Sequence, residues 1–349
     1  MNQFLLYGAN GYTAGLIIEQ AASFGLTPVL AGRSEEKIRP LAEKHGLSYR
    51  LADLTDAAAL DRALDGLPVV LHCAGPFSRT AAPMQEACLR TGTHYLDITG
   101  EIAVFETGAA LDARARERNV MLMSGVGFDV VPTDCSARFL KDQLPDATHL
   151  QLAFANVGGS VSHGTALTAV ENLGSGGFVR EAGVLKPVSN AEKVIEVTFA
   201  GGRKLYCMTI PWADLATAYR TTGIPNIETF MAAPQAQILG AKALNWLGPL
   251  LKTPRVQNFI RNRIDRALTG PGAEARQKAR TLVWGRVWNA AGDSVVTRLE
   301  GPDGYHLTAR TALNITQKVL QGNVKAGFQT PAGLYGADLI LEIEGVRRV

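Results

Sequence analysis

The 349-residue chain predicts an α/β fold: a doubly wound parallel sheet, followed by a second α+β domain containing an antiparallel sheet. Three observations carry this prediction. Up to about residue 123, short apolar runs of strand length alternate with longer stretches whose apolar residues recur at helical spacing, the pattern of successive βαβ units. The first of these junctions, "YGANGYTAG", is rich in glycine and follows directly on the apolar run "FLLY". From "HLQLAFA" onward the pattern changes to strand-rich segments broken by turn residues.

Taken in order, the strands are "QFLLY", "PVLA", "SYRL", "VVLH", "HYLD" and "VMLM". Helical patterns lie between them at about Ala14 to Phe24, Glu35 to His45, Ala57 to Leu64, Thr80 to Thr91 and Glu101 to Arg118. Crossovers of this length join parallel neighbours, and such a sheet binds its ligand beyond the carboxyl ends of the strands. A helix near Cys135 to Leu144 closes a first domain over residues 1–145. The second domain is expected over 146–308, with residues from about 309–349 returning to complete the first. Within the second, "VTFAGGRKLYCMTIPW" reads as a hairpin turning at Gly201 and Gly202. "SVVTRLEGPDGYHLTAR" reads as another, turning at Pro302 to Gly304.

Composition narrows the class of protein. A hydrophobic fraction of 46% with 19% charged residues excludes a disordered chain, and a net charge of +3 gives no reason to expect nucleic acid as partner. Cys73, Cys88, Cys135 and Cys207 are scattered without paired spacing, so neither a metal site nor a disulfide framework is expected. The chain starts without a basic leader, and no run reaches the ~18 apolar residues of a membrane span, which sets the expectation of a cytoplasmic protein.

The opening junction has the context that a bare glycine motif lacks, because a strand precedes it and a helix follows. Gly8 and Gly11 allow a tight turn and close backbone approach to a pyrophosphate, Asn10, Tyr12 and Thr13 line the same turn, and Ala14 and Gly15 permit close helix packing. The helix start then offers N–H groups and the positive end of its dipole. After the second strand, Arg33 and Ser34 stand where an NAD-binding chain has an acidic residue, and a guanidinium with a hydroxyl fits a 2′-phosphate. The expected cofactor is NADP. Asp53, after the third strand, either accepts from the adenine amino group or caps the next helix. Ala74, Gly75 and Pro76, after the fourth, leave room for the nicotinamide ribose.

The strings "GANGYTAG", "AGRSEEK", "CAGPFS", "GTHYLDITGE" and "GVGFDVVPTD", with the tail "GFQTPAGLYGADLILEIEGV", resemble the saccharopine dehydrogenase-like oxidoreductases, and in particular their trans-acting enoyl reductase branch. The resemblance covers most of the chain and implies a Rossmann-type NADP domain. It also implies reduction of a C=C or C=N bond.

Catalytic residues are harder to read. No tyrosine is followed by lysine four positions on, which excludes the short-chain dehydrogenase pair. Tyr95 and Asp97 alternate with apolar neighbours, so they share one face at a strand end, where Tyr95 is a candidate donor to a substrate carbonyl and Asp97 a candidate orienting group. Glu101 either positions substrate or caps the next helix. Asp129 lies in the glycine-rich loop beyond the sixth strand, and His163 in "SVSHGTAL" is either a proton donor or structural. The stretch 233–268 is nearly free of acids, with arginines opposite an apolar helical face. It reads as a lid, as a surface for a membrane or a carrier protein, or as a helix packed on the core or on a second copy of the chain. These features favour an NADPH-dependent reductase of a small, apolar or carrier-bound C=C substrate. An imine reductase and a non-catalytic NADP sensor or scaffold are the alternatives.

Overall fold

Apolar strand sequences buried on both faces build the first unit. The computed structural model describes residues 2–159, 176–251 and 272–349, together with residues 253 and 256. In order come β1 (Gln3–Tyr7), α1 (Tyr12–Ala21), β2 (Thr27–Gly32), α2 (Glu35–His45), β3 (Tyr49–Leu51), α3 (Ala57–Leu64), β4 (Val69–His72), α4 (Phe77–Thr91), β5 (His94–Asp97), α5 (Ile102–Ala110), α6 (Asp112–Glu117) and β6 (Met121–Met123). With β15 (Gly327–Phe328) they form one sheet in the order β15-β6-β5-β4-β1-β2-β3, every neighbouring pair parallel. The order reverses between β1 and β4, which is the switch point where such sheets take ligands. The strands are buried because helices cover both faces, and Leu5, Val70, Met84, Tyr95 and Leu122 sit in one core cluster. The helix termini follow the expected chemistry. In α2, Glu35 and Glu36 occupy the first turn and Lys44 and His45 the last, complementing the helix dipole.

The second unit is built from α7 (Val131–Gln143), β7 (His149–Val157), β8 (Gly177–Glu181), β9 (Val184–Val188), β10 (Val194–Thr198), β11 (Lys204–Thr209), α8 (Asp214–Thr222), β12 (Asn226–Ala232), α9 (Gln235–Leu251), α10 (Ala273–Lys278), β13 (Arg280–Trp288), β14 (Ser294–Gly301) and β16 (Arg347–Arg348). Its sheet runs β10-β11-β12-β7-β13-β14-β16, with the β8–β9 hairpin added on β12. All its pairs are antiparallel except β12 with β7, so the sheet is mixed. Phe199, Phe230, Leu282 and Trp284 belong to a core cluster of this unit.

Contacts divide the chain into Met1–Val131 with Tyr305–Leu334, and Pro132–Gly304 with Tyr335–Val349. The sequence had extended the first domain to residue 145 and given it the whole tail. α7 groups with the second unit because Leu140 packs over Gly285 of β13, where a Cβ would lie 2.8 Å from its Cδ1. The tail joins the same unit through Arg348, which pairs with Leu299 of β14 and places its guanidinium 4.1 Å from the Phe139 ring centre. The hairpin at Gly201 and Gly202 is present as β10–β11. The one at Pro302 to Gly304 is not: β14 leads through these residues into α11 (Gly304–Leu320), and the hairpin it forms is with β13, on its N-terminal side. Pro, Asp and Gly mark helix starts as readily as turns, which explains the misreading. Of the stretch 233–268, residues 235–251 are α9. Its arginine-rich part lies outside the described residues.

Candidate functional site

The site residues singled out by sequence collect at the carboxyl rim of the parallel sheet in the first unit, apart from Tyr95, which is buried within β5, and His163. Gly8 ends β1 with φ +81, and a Cβ there would stand 2.7 Å from Ala74 N, so the turn after β1 presses directly on the turn after β4. Gly11 donates to Gly8 O at 3.0 Å and is the N-cap of α1. Its φ is −77, so the left-handed backbone falls on Gly8 and not on Gly11. Ala14 packs fully buried, whereas a Cβ on Gly15 would meet nothing within 4 Å. The close helix packing expected of both is therefore made by Ala14 alone. No side chain caps α1 and no acidic residue sits in its first turn. These features fit a dinucleotide phosphate, since the helix start presents N–H groups with no competing carboxylate.

Arg33 is exposed just beyond β2, and Ser34 is the N-cap of α2 but makes no side-chain capping bond. Asp53 does not cap α3, because Asp56 accepts from Ala59 N–H at 3.0 Å. Instead Asp53 Oδ1 takes Thr55 N–H at 2.9 Å and the Thr55 hydroxyl at 2.7 Å. These bonds, with a smaller contribution from the Arg33 charge, hold its carboxyl below the usual range. After β4, Ala74 O accepts the Thr80 hydroxyl at 2.6 Å, and Gly75 is exposed ahead of Pro76, the N-cap of α4. Asn10 is exposed, and Tyr12 and Thr13 are half-buried.

Two sequence assignments change. Tyr95 and Asp97 do share a face, but it is the covered one: Tyr95 is fully buried and donates to Asp97 Oδ2 at 2.7 Å. A substrate carbonyl could reach that hydroxyl only by displacing Asp97, so Tyr95 is withdrawn as a substrate donor. Asp97 Oδ1 accepts Thr99 N–H at 3.0 Å and Gly125 N–H at 2.9 Å, which ties the loop after β5 to the loop after β6. Burial raises its carboxyl to about 6 against the pull of these bonds. Glu101 begins α5 without capping it. Its two oxygens accept Phe77 N–H at 2.7 Å and Ser78 N–H at 2.8 Å, at the start of α4. His163 lies outside the described residues.

Asp129 is half-buried in the loop after β6, its carboxyl pressed on Gly100, where a Cβ would come within 2.7 Å of Oδ2. Among the described residues no hydrogen bond reaches the carboxyl, and burial raises it to about 7. The loop is held from α11, the helix expected to return to the first domain, through contacts that sequence did not show. Thr308 Oγ1 of α11 accepts Phe128 N–H at 3.0 Å, and Thr311 donates to Val126 O at 2.8 Å.

Residues 4–123 match the family model of the saccharopine dehydrogenase NADP binding domain. The chain is 27% identical over 217 residues to a saccharopine dehydrogenase-like oxidoreductase of Rattus norvegicus, covering 55% of this chain and 50% of the relative. It thus spans about half the length of that relative. A relative from Arabidopsis thaliana, named a probable mitochondrial saccharopine dehydrogenase-like oxidoreductase, is 24% identical over 95% of this chain and 92% of its own. A lipid droplet localized protein of Caenorhabditis elegans is 28% identical over 55% of this chain and 49% of its own. Both names overturn the expectation of a plain cytoplasmic location. No helix among the described residues is long and apolar enough to cross a membrane. A trans-acting enoyl reductase of Mycobacterium bovis is 33% identical over 37% of this chain and 33% of its own. Saccharopine dehydrogenase (L-Glu forming) of Saccharomyces cerevisiae superposes with a TM-score of 0.68 at 15% identity, covering both chains fully, which establishes the shared fold.

Arg33→Ala should weaken NADPH roughly tenfold to a hundredfold, the worth of a charge-assisted phosphate contact, and leave NADH unchanged; calorimetric titration of both cofactors measures it. Gly11→Val should weaken cofactor binding sharply: φ −77 itself tolerates a side chain, but a Cβ would stand 3.2 Å from Gly8 O and push on the turn that holds the phosphate; a binding titration beside a circular dichroism spectrum measures it. Residues 4–123 are therefore an NADP-binding domain of saccharopine dehydrogenase type, in a chain that is similar along most of its length to the saccharopine dehydrogenase-like oxidoreductases.

Proposed function

We propose that the protein is an NADPH-dependent oxidoreductase that reduces the C=C bond of an unsaturated acyl, polyketide-like or enone substrate, with Asp129 as proton donor. The cofactor supplies hydride when bound, and Gly8, Gly11, Arg33 and Ser34 are the residues that would hold it. The observation that carries the reading is Asp129. A carboxyl at the rim beyond β6, unbonded among the described residues and raised to about 7, holds its proton below neutrality and in about half of the molecules at pH 7, and can deliver it to the α-carbon of an activated double bond. Asp97 holds the two loops on either side, and Glu101 fixes the start of α4. The name of the Mycobacterium bovis relative supports C=C chemistry, and that of the Caenorhabditis elegans relative agrees with an apolar substrate.

The test is NADPH oxidation measured against α,β-unsaturated thioesters, enones, ketones and preformed imines. Turnover of thioesters or enones is expected. Turnover confined to imines would move the assignment to saccharopine-type chemistry, and tight NADPH binding without any turnover would favour a sensor.

A further inference from the structure

α11 brings an aromatic ring to the dinucleotide turn from the far end of the chain. Tyr305, in its first turn, meets Tyr12, the first residue of α1, edge-on, with ring centres 5.2 Å apart and planes at 87°. Both residues are half-buried. The rest of α11 fixes the side of the groove on which this pair stands. Thr308 and Thr311 bond the loop after β6, and further along Gln317 Nε2 donates to Phe24 O, just past the end of α1, at 2.6 Å. The helix therefore runs between α1 and the β6 loop. In the strand order β6 lies on the β4 side of β1, and Arg33 and Ser34 lie on the other, beyond β2. A dinucleotide laid across this switch point points its adenosine end toward β2 and β3 and its nicotinamide end toward β4 to β6.

We infer that Tyr305 is a binding residue for the nicotinamide half of NADP, forming with Tyr12 an aromatic wall beside the start of α1. The inference rests on the cofactor site described above. An aromatic ring next to the phosphate-binding turn adds contact area at small cost in side-chain freedom, and the edge-on contact with Tyr12 holds it in place. No glycine motif reveals such a residue, because it belongs to a helix that returns only after residues 132–304 of the second unit.

The test separates the two halves of the cofactor. NADPH and 2′,5′-ADP, which carries only the adenosine end, are titrated into the full chain and into Tyr305→Ala, Tyr305→Leu and Tyr305→Phe, each with a melting curve. The alanine and leucine variants should bind NADPH about three- to tenfold more weakly and 2′,5′-ADP within twofold of the unmodified chain. The phenylalanine variant, which keeps the ring, should match the unmodified chain for both. The leucine variant keeps the bulk, so a fold upset by alanine alone does not decide the result. Unchanged NADPH affinity, or equal loss for both ligands, would overturn the role of Tyr305. An unmodified chain that binds neither ligand would instead bring down the cofactor site itself, and this inference with it.

Discussion

Asp129→Asn should lower the rate of NADPH oxidation a hundredfold or more at pH 6 while leaving NADPH affinity unchanged, since removing a positioned general acid typically costs about 10²–10⁴. The amide keeps the shape that rests on Gly100 and removes the proton to be delivered. The pH dependence follows from the raised carboxyl. A donor must be protonated, so the rate of the unmodified protein should be level below about 7 and fall as pH rises through it, whereas the residual rate of the variant should be flat. Stability runs with the same sign. A carboxyl whose folded value is raised holds its proton longer in the folded state than in the unfolded one. Stability therefore declines as pH rises from the ordinary carboxylate range toward 7, and the full penalty remains above it. Because the group is only half-buried, solvent screening leaves that penalty at about 1–2 kcal/mol. Asp129→Asn should accordingly melt higher than the unmodified protein at pH 8 and nearly equal to it at pH 4. Single-turnover absorbance and melting curves over that range measure both. A variant that keeps its rate would remove Asp129 from the chemistry.

The pattern of the sequence was enough to place most of this rim. β4, β5, α2 and α3 fall on their expected residues, because their apolar periods are unambiguous and their ends carry turn or capping residues. The order of the strands follows from the crossover rule, and with it the convergence of Gly8, Arg33, Ala74 and Asp129. What the pattern lacked was burial. Alternation shows that Tyr95 and Asp97 point the same way, but not that helices cover that side, and in a parallel sheet both faces are covered. A polar pair there must satisfy itself, as the Tyr95 hydroxyl and the Asp97 carboxylate do. Contacts across long separations were equally invisible. Glu101 reaches back to the start of α4, and Thr308 reaches the Phe128 amide from α11, and nothing local to either residue encodes the partner.

Asp97→Ala should have the largest effect on the fold. Its fully buried carboxylate accepts the Tyr95 hydroxyl and the N–H groups of Thr99 and Gly125, and removing it leaves three donors without an acceptor in a space water does not reach. Breaking a buried, hydrogen-bonded charge in this way costs about 3–5 kcal/mol, enough to lower the melting temperature by roughly four to seven degrees in a chain of this size. Tyr95→Phe removes one donor and leaves both backbone bonds, so a loss of about 1–2 kcal/mol is expected. The two variants should also differ in rate. Thr99 and Gly125 belong to the loops after β5 and β6, and Asp129 stands in the second of them pressed on Gly100 of the first. Releasing the Asp97 bonds frees those loops from each other, and a proton donor displaced by even an ångström loses much of its effect. At a temperature where both variants remain folded, Asp97→Ala should therefore turn over far more slowly than Tyr95→Phe, whose rate should equal that of the unmodified protein. Equal losses in the two would mean that the Tyr95 hydroxyl takes part in the reaction after all.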